Sequence, residues 1–179
     1  MSRWPNLNYN LHESVGKNRA LSVSVPREWD VSVNQELTLG SKVVGPAILA
    51  SQTDTVKWWT SYETSGLFLA ASKNKTVLGS EPEAIMEQAT NASEACETEI
   101  LTRTQEERRY IISYRVWDKC GNTDSQLLAF VARHVNKEHV VVGLMTINDD
   151  GDWEARREIF TSFNVNEKLL SKWKPMSLG

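Results

Sequence analysis

The sequence predicts an α+β domain, an antiparallel β-sheet meander packed with helices, and three observations carry that prediction. Between residues 97 and 147 the pattern leaves helical spacing and four strand-like runs follow, the second alternating apolar and polar residues. A capping-box signal opens a helical stretch before them, and an aspartate-capped stretch with helical spacing follows them. With 179 residues, 40% of them apolar and 24% charged, the chain can bury one sizeable core, so one domain is expected.

Residues 1–18 are polar and turn-rich and are expected to form a loose N-terminal arm. Leu21-Ser22-Val23-Ser24-Val25 alternates apolar and polar residues, and Val31 and Val33 resume the alternation after Pro26, which reads as two strands around a turn. Residues 37–49 carry short strand-like runs interrupted by Gly40, Gly45 and Pro46. Thr53-Asp54 can cap a short helix with Val56, Trp59 and Tyr62 on its apolar face, and Gly66 stops it before a strand over 67–71. In Ser80-Glu81-Pro82-Glu83 the serine oxygen can accept from the N3 amide while the N3 glutamate reaches back to the cap. The helix that follows, to about Ala92, places Ile85, Met86 and Ala89 on one stripe.

Four strands are then expected over 97–103, 109–117, 125–135 and 140–147, the first hairpin turning near Glu106-Glu107. Tyr110, Ile112, Tyr114 and Val116 share one face, while Ser113 and Arg115 point to the other, so one side should be more fully buried and covered by helices. Asn148 to Gly151 reads as a turn, and Asp152 can cap a helix whose apolar residues are Trp153, Ile159, Phe160 and Phe163. This helix and the one near 81–91 are expected on the same face, with Trp153 buried as an anchor. The domain is thus 19–165, and 166–179 is a short amphipathic extension carrying Leu169, Leu170 and Trp173 before Pro175.

Charge and composition exclude several function classes. A net charge of −3, from 20 basic and 23 acidic residues without long blocks, offers no stripe for a phosphate backbone, so nucleic acid is not an expected partner. No run approaches the roughly 20 apolar residues of a membrane helix, so no membrane span is expected and the chain reads as soluble. No cofactor motif occurs, and no catalytic residues are assigned. His12, His134 and His139 lack a nucleophile-elbow context such as G-x-S-x-G. Asn148 to Glu154 clusters oxygen donors around Gly151 but lacks the alternating calcium-loop pattern and its bidentate glutamate, so no metal site is assigned. An enzyme built on Asp149, Asp150 and Asp152 with His134 or His139 remains the alternative to a binding role, as does small-molecule carriage in a groove between sheet and helices. Trp58, Trp59 and Tyr62 are the candidate partner-binding residues, because adjacent tryptophans on a short helix cannot both face one core. Asn74-Lys75-Thr76 and Asn91-Ala92-Ser93 fit the glycosylation pattern, which is short enough to arise by chance.

The opening Leu21 to Val31, with its strand, Pro26, Trp29 and second strand, resembles the start of the PsbP-like superfamily, and Trp153 through Val165 resembles its closing helix. Gly66 to Ser72, Cys96, and Tyr114 to Thr123 look like a module of exported bacterial proteins, some joined to serine proteases whose catalytic motifs this chain lacks. The resemblance covers about Leu21 to Val165 and implies an antiparallel sheet between helices and a non-catalytic binding or accessory role with a protein partner. The resembling modules carry cysteines at the places of Cys96 and Cys120, and the expected hairpin, with Cys96 opposite Trp117, leaves Cys120 about three residues beyond it. A Cys96–Cys120 disulfide is therefore expected. If it forms, an extracytoplasmic or secreted location is favoured, and otherwise the cytoplasm.

Overall fold

The computed structural model describes residues 12–39, 42–52, 65–73, 96–148 and 150–176. In chain order these residues form β1 (His12–Val15), β2 (Leu21–Pro26), β3 (Asp30–Leu39), β4 (Lys42–Ser51), β5 (Gly66–Ser72), β6 (Thr98–Glu107), β7 (Tyr110–Asp118), β8 (Gln126–His134), β9 (Val140–Ile147), α1 (Asp150–Ser162), β10 (Asn164–Val165) and α2 (Glu167–Lys172). A 3-10 turn, Cys120–Asn122, joins β7 to β8.

The expected meander, β6 to β9, supplies four strands of a seven-stranded antiparallel sheet ordered β3-β4-β5-β9-β8-β7-β6. β5 pairs with β9 from Gly66↔Thr146 to Ser72↔Val140 and so joins β3–β4–β5 to the meander. β1, β2 and β10 make a second, three-stranded sheet. One core lies between the two sheets and α1. It gathers Val23 and Val25 of β2, Tyr114, Phe130 and Met145 of the large sheet, and Ile159, Phe160 and Phe163. Phe160 meets Tyr114 and Phe130 edge-on at 5.6 and 4.9 Å, and Phe163 meets Tyr110 at 4.8 Å. Gly143 makes this packing possible, because a Cβ there would stand 2.3 Å from the Phe130 ring.

The large sheet is buried on both faces at its centre, not chiefly on one. A second cluster holds Leu49, Phe68, Ala129, Val131, Val142 and Leu144 on the face opposite α1. The expected asymmetry holds for β7, where Ile111 is exposed, but β8 and β9 are near-continuous apolar runs, as strands covered on both sides are. The helices expected over 53–62 and 81–91 lie outside the described residues. Whether the latter shares a face with α1 therefore rests on sequence alone.

Other boundaries differ for local reasons. Within the arm expected over 1–18, His12 to Val15 form β1, which pairs with β2 from His12↔Pro26 to Val15↔Val23. The strands around Pro26 do not pair with each other; the Trp29 amide closes on the Pro26 carbonyl at 3.1 Å and β3 crosses into the other sheet. β4 runs unbroken through Gly45 and Pro46. Gly45 admits the Ala71 carbonyl oxygen, which a Cβ would meet at 1.7 Å, and Pro46 lies just before the β4–β5 ladder begins at Ala47↔Ala70. The β6–β7 turn falls at Arg108-Arg109, two residues later than expected, with both in the left-handed region at φ 49° and 69°, the twist that tight hairpins prefer. α1 begins at Asp150, and Trp153 is half-buried beneath the Arg156 guanidinium, 5.4 Å from its ring, instead of fully buried. Residues 166–172 are not an independent extension: the Asn166 amide donates to the Ala20 carbonyl at 2.9 Å, and Leu170 is buried in the main core.

Candidate functional site

α2 and the chain after it form one wall of a cleft of about 230 Å³ whose other walls are residues 18–21, β3 and the middle of β4. The amphipathic spacing of 166–173 explains the wall. Asn166 caps α2, its Oδ1 accepting from the Leu169 amide at 3.0 Å, and this sets Leu170 toward the core and Leu169 and Trp173 toward the cleft. The floor is apolar, made by Leu21, Val33, Ala47 and Ile48. The polar rim is engaged within the protein: Arg19 donates to Asn34 Oδ1 at 2.9 Å, Gln35 to Ser32 Oγ at 2.8 Å, and the Met176 amide to Glu36 Oε2 at 2.8 Å. At the lip, Leu169 is 36% and Met176 57% exposed. The arrangement suits an apolar group presented from outside.

A second cluster lies at the other end of α2. His139, only 1% exposed, stands between the Tyr110 hydroxyl, 2.5 Å from its Nε2, and the Glu167 carboxylate, which accepts from its Nδ1. The Nδ1 proton is thus committed to Glu167, and Nε2 shares a hydrogen bond with the Tyr110 hydroxyl. Burial pushes the Tyr110 phenol up to about 12, with Arg108 opposing and the Glu167 charge adding to the rise. Arg108 lies over the Phe163 ring at 4.8 Å and donates to the Phe160 and Phe163 carbonyls at 3.2 and 2.8 Å, which places a cation at the end of α1.

The structure separates the residues of the enzymatic alternative. His134 and His139 flank the β8–β9 turn, whereas α1 and its acidic start follow the opposite end of that ladder, where Gln126 pairs with Ile147. At ~3.3 Å per residue the ends are about 25 Å apart. His134 is buried, its Nδ1 accepting from the Asn136 amide at 3.0 Å, and Asn148 Oδ1 accepts from Ser125 Oγ at 2.6 Å. Asp149, Trp58, Trp59 and Tyr62 lie outside the described residues. The cleft escaped sequence reasoning because four separated segments build it; the leftover amphipathic run at Leu169, Leu170 and Trp173 was its one signal.

Cys96 and Cys120 stand across the open end of the β6–β7 hairpin, with sulfurs 2.04 Å apart and Cα atoms 4.0 Å apart. The expected register had put Cys96 opposite Trp117. The later turn and a register shift between Glu99 and Leu101 bring Thr98 opposite Asp118, so the two cysteines face each other directly. No helix among the described residues is long and apolar enough to cross a membrane.

No family model and no curated protein matches the chain. Among solved structures it is similar to the solution structure of cyanobacterial PsbP (CyanoP) from Synechocystis sp. PCC 6803, at 16% sequence identity and a TM-score of 0.48, over 87% of this chain and 92% of that one.

Proposed function

We propose that this chain is a non-catalytic binding or accessory module that engages a protein partner, and that the cleft beside α2 receives an apolar side chain of that partner. The observation that carries the reading is the pairing of an apolar floor with exposed apolar lip residues, Leu169 and Met176, around a rim whose polar groups are already engaged. Size favours a side chain over a carried small molecule, since about 230 Å³ falls below the roughly 300 to 1,000 Å³ of drug-sized ligand sites. β3, an edge strand of the large sheet among the described residues, borders the cleft, so an extended segment could run along it. Trp58, Trp59 and Tyr62 stay on sequence grounds as a second group of anchors. The cysteine pair supports an extracytoplasmic or secreted location.

Panning a random peptide-display library on the folded protein tests the reading. Enriched peptides should share an apolar residue and lose binding to Leu169→Asp, a change at an exposed position that leaves the core intact. Equal binding to Leu169→Asp, or no enrichment, overturns the assignment of the cleft.

A further inference from the structure

We infer that His139 and Glu167 are positioning residues for the cleft: the hydrogen-bonded chain Tyr110–His139–Glu167 latches α2 onto the large sheet and so sets the wall that Leu169, Trp173 and Met176 provide. The inference rests on the cleft being the binding surface. α2 has six residues, about half of what an isolated helix needs to persist in water, so tertiary contacts hold it. Those contacts are few. Leu170 is its one buried side chain. The Asn166 amide bonds the Ala20 carbonyl at the entry, and the Met176 amide bonds Glu36 beyond the exit. A further anchor is Glu167, whose carboxylate is partly exposed but ends on an imidazole that is buried almost completely.

The far side of that imidazole is built to stay in place. Tyr110, itself buried, closes Nε2 and packs edge-on against His134 at 4.9 Å and against Phe163 at 4.8 Å, with the Arg108 guanidinium 5.7 Å over its ring. Both ring nitrogens of His139 are thus occupied from opposite sides, one by the sheet and one by α2. Detaching α2 takes the Glu167 carboxylate away from a buried imidazole, so the site favours the docked helix over a detached one. A rigidly docked wall in turn presents Leu169 and Trp173 to a partner without an ordering cost at binding.

Amide hydrogen exchange read by mass spectrometry tests the latch. Glu167→Ala should speed exchange of the hydrogen-bonded amides at Leu170 and Trp173 at least tenfold, with exchange in β7 to β9 unchanged. Glu167→Gln, which keeps an oxygen for the Nδ1 proton, should restore most of the protection, and Lys168→Ala, on the same helix but outside the chain, should leave it at the wild-type level. Unchanged protection in Glu167→Ala, or equal loss in Lys168→Ala, overturns the latch. The same variants, used against a cleft-binding peptide from the display selection, should bind more weakly in the order of their lost protection. Faster exchange with undiminished peptide binding would reject the positioning role, while a selection without any Leu169-dependent peptide would reject the cleft reading and leave the exchange result to stand for docking alone.

Discussion

At Tyr110 a single hydroxyl answers to three neighbours, and its titration gives the most direct check on the latch. Burial pushes the phenol from an ordinary 10.0 to about 12, against the pull of Arg108. The unfolded chain loses this proton near pH 10, so between 10 and 12 the folded state holds a proton that the unfolded state has released. The associated stability is fully present below pH 10 and disappears as pH rises through 12. Ultraviolet titration should show a late tyrosine step near 12, and Tyr110→Phe should remove it. A titration without a late step that Tyr110→Phe removes would contradict the buried environment of Tyr110. Trp153 makes the contrasting case. Its half-buried indole lies under Arg156, so Trp153→Ala should cost about 1 to 2 kcal/mol in denaturant melts, against about 3 to 5 kcal/mol for the fully buried Phe160→Ala. Equal losses at the two sites would mean that the indole is an anchor after all.

At the scale of elements, α1 ends where Arg108 reaches across from the β6–β7 turn. The guanidinium meets two of the last carbonyls and covers Phe163, so one side chain serves as a C-terminal cap and as a weld between turn and helix. Arg108→Ala should therefore destabilise by about 1 to 2 kcal/mol, and Arg108→Lys should recover only part of it because an ammonium lacks the planar fork. Denaturant midpoints at constant m-value would measure both. Gly143 is the equivalent point in the sheet: a methyl there must displace the Phe130 ring, and Gly143→Ala should cost about 1 to 3 kcal/mol through overpacking. The strands of the meander were legible because period two survives in β7 and apolar runs mark β8 and β9. Their ends were not, since left-handed Arg108 and Arg109 carry none of the glycine or asparagine that usually marks such a turn.

For the whole molecule, the cysteine pair and the second sheet matter most. A bond between Cys96 and Cys120 closes a loop with a sequence separation of 24 and should add about 3 kcal/mol in the chain-entropy model. Protein purified without reductant should resist alkylation under denaturing conditions and gain two alkyl groups only after reduction, with a lowered denaturant midpoint. Two labelled cysteines before reduction would refute the bond and favour a cytoplasmic location. Local pattern in the sequence determined by itself the α+β class, the four-stranded meander, the strand over 67–71, and the helix before Phe163, because period-two and helical spacings are properties of neighbouring residues. Only the tertiary structure decided that β5 joins β9, that β2 leaves β3 to pair with β1 and β10, and that Glu167 meets His139 beside a cleft drawn from four segments. Those contacts join residues tens of positions apart, and their selection depends on which faces can be buried together, a quantity that no local window of sequence contains.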